Sequence, residues 1–322
     1  MKPVAFVFPG QGSQAVGMLD AWGDHPAVAE TLAEASDALG EDVGALIQNG
    51  PKEALALTTN TQPVMLVAGV AAWRAWRAEG GETPAALAGH SLGEYSALVA
   101  AEVLTLAQAA PLVRFRAAAM QEAVPVGAGA MAAILGLDAE KVVLGCAEAT
   151  RAMSEGSGEV VEAVNFNDPA QTVIAGSKLA VEKACEVLKS MGARRALPLP
   201  VSAPFHSSLM KPAAEKLREK LGEVEFAAPR IPVVNNIDVA IEDEPARIRD
   251  ALFRQAFGPV RWVECVRKIK AMGIQTLVEC GPGKVLAGMT KRIDAEMEGA
   301  ALYDPATLAE AKALVADLGG RN

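Results

Sequence analysis

Gly89-His90-Ser91-Leu92-Gly93 sets a serine hydroxyl between two glycines, after a short apolar run (residues 85–88) and before a helix-forming run (residues 94–101). Strand, G-x-S-x-G, helix is the setting in which a serine sits exposed on a sharp turn and attacks a carbonyl carbon. The Leu92 N–H then faces the developing oxyanion. Such a serine needs a base, and the chain has only three histidines. His25, in Gly23-Asp24-His25-Pro26, reads as a solvated loop residue. His90 adjoins Ser91, so the two side chains diverge. His206 lies in a polar loop (residues 201–208) reached from a strand-like run, and is the best base. The histidine spacing does not suit zinc. A hydrolase triad would add an acid between Ser91 and His206 in the chain. Asp138 and Asp168 fall there, neither in a persuasive setting, and a backbone carbonyl or amide can orient the imidazole instead.

Arg116 is the next informative residue. The spacing predicts a helix over residues 104–124, despite Pro111. Leu112, Val113 and Met120 share one stripe of that helix with Arg116, whereas Arg114 falls on a solvated face. A guanidinium on a buried stripe must be paired. Its partner is either a protein carboxylate or the carboxylate of a substrate, which the fork grips in bidentate fashion. Two glycine motifs invite phosphate readings. Gly10-Gln11-Gly12 follows the first strand, but the next glycine is Gly17, so G-x-G-x-x-G is not met. Gly12 to Gly17 has P-loop spacing with Met18 where lysine is needed. A polar loop at the carboxyl end of a strand remains, the place where open α/β sheets hold ligands. Gly281-Pro282-Gly283-Lys284 reads first as a turn opening a helix, with Lys284 a candidate phosphate contact.

The elements that carry these residues alternate. Residues 4–8, 85–88, 233–234 and 276–278 read as strands with helical segments between them, which means a mainly parallel sheet covered on both faces. Two irregular stretches, residues 126–130 and 195–204, interrupt the pattern. Between them strand candidates 131–135 and 172–175 and helical runs 139–153 and 178–191 suggest a small inserted β-α-β-α unit. Residues 305–318 read as a final helix. At 322 residues, 51% apolar, the chain can hold two domains or one with an insertion. A net charge of −9 argues against a general nucleic-acid binder. The four cysteines (Cys146, Cys185, Cys265, Cys280) are far apart and read as thiols of a reducing compartment. No leader-like segment precedes residue 4, and no run of about 18 apolar residues follows. The expectation is a cytoplasmic protein that engages no membrane.

Seven ordered blocks then stand out: FVFPGQGSQ, GHSLGEYSALV, VRFRAAAMQEAVP with GAMAAILG, NFNDPAQTVIAG, PVSAPFHSSLM, RQAFGPVRW and ECGPGKVLAGMTKRI. Together they resemble the malonyl-CoA:acyl carrier protein transacylases of fatty-acid synthesis, nearly end to end. The resemblance implies a hydrolase-like α/β core, residues 1–127 and 198–322, with a ferredoxin-like subdomain inserted at 128–197. It implies Ser91 as the acyl-carrying nucleophile, His206 as base, and the Leu92 N–H with the Gln11 region as oxyanion hole. Arg116 would hold the malonyl carboxylate, the Gln255 backbone carbonyl would orient the histidine, and Asn165 would be a cofactor-side contact. Malonyl-CoA and acyl carrier protein are the implied partners, with no resident cofactor, metal or nucleic acid. Family members often have glycine where Ala117 stands and asparagine where Gly258 stands. Phe205, just before the base, goes with malonyl over methylmalonyl in related acyltransferases. Lys189, Arg194, Arg195, Lys211 and Lys284 are candidates for a basic patch that meets the acidic carrier. A serine esterase or thioesterase, and an acyltransferase that loads a polyketide carrier, are the rival enzyme readings. A catalytically dead carrier-binding module would lack the nucleophile, base or clamp, and none is missing.

Overall fold

The computed structural model describes residues 3–153, 156–201 and 203–320. Ser202, in the loop ahead of His206, lies outside the described residues. The strands are β1 (Val4–Phe8), β2 (Ala86–Gly89), β3 (Gly129–Leu135), β4 (Val161–Asp168), β5 (Gln171–Ser177), β6 (Arg195–Pro198), β7 (Val233–Val234), β8 (Thr276–Cys280) and β9 (Glu298–Leu302). The first helices are α1 (Pro26–Leu39), α2 (Val43–Asn49), α3 (Lys52–Ala56), α4 (Thr58–Ala78), α5 (Gly93–Ala100) and α6 (Leu106–Glu122). They are followed by α7 (Ala139–Arg151), α8 (Lys178–Ser190), α9 (Lys211–Glu223), α10 (Pro245–Ala256), α11 (Trp262–Ala271), α12 (Val285–Ile293) and α13 (Pro305–Gly320).

One sheet has the order β7-β2-β1-β8-β9, and all its pairings are parallel. The central strand β1 is apolar and buried throughout, as a strand covered on both faces must be. Its alternate residues feed two cores. Phe6 and Phe8 pack with α4 and α5, and Phe6 meets the rings of Trp73 and Trp76 at 5.6 and 5.0 Å. Ala5 and Val7 pack with Trp262, Val266 and Ile269 of α11 and with Leu286 and Met289 of α12. The strand carboxyl ends of β1, β2 and β7 therefore lie side by side, and the loops that leave them converge.

The second sheet, built from residues 129–198, is antiparallel with the order β4-β5-β3-β6. Its chain order is β-α-β-β-α-β, the connectivity of a split βαβ unit. Helices α7 and α8 cover one face. Met131, Ala133, Val173 and Ala175 on the other face pack against Ala119 and Met120 of α6 and against Phe205 and Met210. This contact braces the two segments that carry Arg116 and His206.

The sequence reading of that unit lacked two strands. In β4, Asn165, Asn167 and Asp168 break the apolar pattern, and two register shifts interrupt the ladder. β6 is a four-residue, mostly exposed edge strand ending in Pro198, and little in its side chains marks it as paired. The edge strand β9 escaped because its half-buried centre, Gly299-Ala300-Ala301, is made of small residues that show no alternation. All four cysteines are free thiols, three of them buried. Among the described residues no helix is long and apolar enough to cross a membrane.

Candidate active site

The turn from β2 into α5 is built by exclusion. A Cβ on Gly89 would fall 1.9 Å from the Gly93 backbone, and one on Gly93 would fall 2.0 Å from the Phe8 carbonyl oxygen. Only glycines fit, so the chain can reverse within three residues and lift Ser91 off the strand end. The reversal puts Ser91 at φ 52°, in the left-handed region that side chains rarely adopt. His206 is held in the same region, at φ 66°.

Ser91 Oγ and His206 Nε2 are 2.7 Å apart. The His206 Nδ1–H donates to the backbone oxygen of Gln255 at 2.8 Å. That bond fixes the tautomer, so the Nε2 lone pair accepts the Ser91 hydroxyl proton. The Gln255 carbonyl is available because it lies in the last turn of α10, where helix carbonyls lack an intrahelical donor. Asp138 is not a third member: its carboxylate caps α7 by accepting the Lys141 N–H at 2.9 Å. Asp168 pairs with Arg292 at 2.8 Å and accepts the Ala170 N–H. Burial, with the Arg116 charge behind it, pushes the His206 imidazole down to about 3. The ring is therefore a neutral acceptor at physiological pH.

Arg116 lies on the buried stripe of α6 with Leu112, Val113 and Met120, and is 1% exposed. Its Nη1 donates to Gln62 Oε1 at 2.6 Å. Its Nη2 donates to Gln255 Oε1 at 3.0 Å and to Ser91 Oγ at 3.2 Å. The guanidinium carbon stands 5.4 Å from the Tyr95 ring centroid. Among the described residues no carboxylate lies within ion-pair distance of Arg116. Its neighbours are neutral oxygens and a ring face, and its Nε has no partner. The alternative left open by the stripe, a structural ion pair, is not what the fold builds. Arg114 pairs with Glu41 on the outer face.

Leu92 and Gln11 present backbone N–H groups with no acceptor among the described residues. The loop after β1 abuts the elbow, since a Cβ on Gly10 would lie 2.7 Å from the His90 carbonyl oxygen. The Gln11 side chain turns away and donates to Thr58 Oγ1 at 3.3 Å. The His90 side chain does diverge from Ser91: its Nε2–H donates to Asn167 Oδ1 at 2.8 Å, beside the Trp262 ring. Burial lowers the His90 imidazole below its ordinary value. Asn165 sits at a bulge in β4 with Oδ1 buried and unpartnered. His25 is not solvated; it packs edge-on against Trp22, with Nε2 3.6 Å from Glu79. Lys284 is exposed.

Sequence reasoning passed over Gln62, Glu94 and Asn236. The Ser91 N–H donates to Asn236 Oδ1 at 2.7 Å, and Asn236 Nδ2 donates to the Gly89 carbonyl at 2.7 Å. Glu94 Oε2 accepts from the Asn236 N–H at 2.9 Å and from Gln255 Nε2 at 3.0 Å. A signal existed: α5 is buried all round, and a helix of that kind leaves its one carboxylate needing partners.

Residues 5–306 match the acyl transferase domain family. The malonyl CoA-acyl carrier protein transacylase of Salmonella typhimurium is 54% identical over 312 residues, which cover 97% of this chain and 99% of that protein. The Bacillus subtilis enzyme of the same name is 44% identical, covering 96% of each chain. The chain belongs to the malonyl-CoA:acyl carrier protein transacylases. The crystal structure of an acyl-carrier-protein S-malonyltransferase from Burkholderia pseudomallei, 64% identical, superposes with a TM-score of 0.94 over 97% of this chain and all of that one. A malonyl-transacylase solved in complex with a type II polyketide acyl carrier protein is 52% identical, with a TM-score of 0.93 over 97% of this transacylase and 99% of that chain.

Proposed function

We propose that the chain transfers a malonyl group from malonyl-CoA to the pantetheine thiol of acyl carrier protein, through an ester on Ser91. The observation that carries this reading is Arg116: a buried cation with only neutral partners, within reach of a serine–histidine pair. His206 Nε2 takes the hydroxyl proton as Oγ attacks the thioester carbonyl carbon. The oxyanion falls to the free Leu92 and Gln11 N–H groups, each such donor lowering the barrier by about 3 kcal/mol. Collapse breaks the C–S bond, and His206 returns its proton to the sulfur, releasing coenzyme A as the thiol. The carrier thiol then attacks the seryl ester by the same steps reversed.

One thioester becomes another, so transfer is nearly balanced while hydrolysis runs downhill. Water must be limited, and the buried setting of Arg116 and His206 serves that end. Arg116 holds the substrate carboxylate and thereby fixes the carbonyl against Oγ. An acetyl group leaves the guanidinium without that partner and is disfavoured. Phe205, buried beside Met120 and Met131, limits the space for a branch at the malonyl carbon. Asn165 is the cofactor-side contact, residues 128–197 the inserted subdomain, and the cytoplasm the place of action. No resident cofactor is needed, since both substrates bring their own thiols. The polyketide complex among the structural neighbours supports a second choice of carrier with unchanged chemistry.

The test is a half-reaction. Malonyl-CoA alone should release one equivalent of coenzyme A per chain, and the isolated acyl-enzyme should then hand its malonyl group to pantetheinylated carrier protein. Coenzyme A release that waits for the carrier would exclude the seryl ester.

A further inference from the structure

We infer that Glu94 is a positioning residue: its carboxylate, behind the elbow, sets the orientation of Gln255 and Asn236, and through them the serine, the base and the arginine fork. The inference rests on the acyl-transfer reading above and adds a residue to it.

Glu94 is 2% exposed, in the first turn of α5. Among the described residues no cation lies within ion-pair distance of it; hydrogen bonds hold the buried carboxylate directly, and the Arg116 charge favours its ionised form from farther off. One oxygen, Oε2, accepts both the Asn236 N–H and the Gln255 Nε2–H, at 2.9 and 3.0 Å. Each donor has a second duty. Asn236 ties the Ser91 N–H to the Gly89 carbonyl, pinning the chain on the entry side of the left-handed residue. Gln255 Nε2 also donates to the Ser91 carbonyl at 3.0 Å. Gln255 Oε1 accepts from Arg116, and its backbone oxygen accepts from His206. The nucleophile, base and clamp are thus all joined to one oxygen through two intermediates.

The chemistry of the carboxylate explains why this residue type stands there. An amide side chain has a donor end and an acceptor end of nearly equal shape. A carboxylate only accepts, and Oε2, faced by two N–H donors, keeps that role even when the carboxyl is protonated. Facing Gln255, it requires the amino end toward itself and the carbonyl end toward Arg116. With that constraint lost, the amide can turn over and set its N–H groups against the guanidinium. The fork then loses one of its two amide acceptors, and the α10 terminus that orients His206 loses its anchor.

Two substitutions separate positioning from bulk. Glu94→Asp keeps the charge but withdraws the oxygens by about one C–C bond, ~1.5 Å. Glu94→Gln removes the charge but keeps an acceptor at full reach, because the Asn236 backbone N–H, which can only donate, holds the carbonyl end of the new amide toward itself and Gln255. Single-turnover acylation of Ser91 by malonyl-CoA and by acetyl-CoA, with melting temperature as a check on folding, is the readout. Glu94→Asp should slow malonyl loading by about 10²-fold, as misplacement of about 1 Å does, and should lower the malonyl-to-acetyl ratio. Glu94→Gln should stay within about tenfold of the parent and keep the ratio, since neutral acceptors make weaker but similarly directed bonds. A folded Glu94→Asp protein with the parental rate or ratio would overturn the inference. So would Glu94→Gln falling as far as Glu94→Asp. Failure of the parent to load malonyl at all would instead refute the proposed function.

Discussion

Replacing Arg116 with alanine removes what is, among the described residues, the one buried cation beside the nucleophile, and the size of the effect follows from what surrounds it. Leaving a charge buried without its partner costs about 3–5 kcal/mol. In the free protein the fork already donates to Gln62, Gln255 and Ser91, and a substrate carboxylate must displace some of these bonds. The net loss should therefore fall at the lower end, about 3 kcal/mol, or roughly 10²-fold in kcat/KM for malonyl loading. Acetyl has no carboxylate to strand. Its loading should rise, because the Arg116 charge also holds down the basicity of His206. Rapid-quench acylation with the two coenzyme A esters, followed by intact mass, gives both constants. The malonyl-to-acetyl ratio should fall by 10² or more. A ratio unchanged in a variant that melts near the parent would refute the clamp, and with it the argument from unpaired burial.

Two further outcomes follow. With the His206 imidazole pushed down to about 3, the base stays unprotonated well below neutrality. Glu94 is raised to about 7 by burial, so the measurement belongs in the Glu94→Gln background, which takes that carboxyl's titration out of the site. There malonyl loading should stay level as pH falls from about 8 to about 5; a drop centred on 6.5, the ordinary imidazole value, would show an unperturbed base. Arg194 and Arg195 are exposed at the start of the edge strand β6, Arg195 being its first residue and Arg194 the one before it. Reversing both to glutamate should raise KM for the acidic carrier protein at low salt and leave KM for malonyl-CoA near the parental value. An unchanged carrier KM would remove this patch from the docking surface.

The legible part of the site was the part written in side-chain type and spacing. Ser91 stood between glycines that the fold cannot replace, His206 was one of three histidines, and Arg116 was a charge on an apolar stripe. The parallel sheet was legible because β1 is apolar at every position. The rest depends on tertiary placement. Glu94 in a first helical turn looks like a complement to the helix dipole until α5 is seen to be buried on every side. Asn236 and Gln62 are neutral amides whose roles come from contacts 145 and 54 residues away in the chain. The group that orients His206 is a backbone carbonyl, which no side chain announces; the family likeness pointed to Gln255, and its place in the last turn of α10 supplies the reason. The strands β4 and β6 were missed because bulges and an exposed edge erase the alternation on which such readings depend.

The central claim is that one hydroxyl, activated by a neutral imidazole and faced by a guanidinium without an ionic partner, selects and carries a three-carbon diacid. Intact mass after brief exposure to equimolar malonyl-CoA and acetyl-CoA tests it most directly, with peptide mapping of the adduct. The predicted result is a single malonyl group on Ser91, little acetyl, and no adduct on Ser91→Ala. A label on another residue, or equal malonyl and acetyl occupancy of Ser91, would contradict the account.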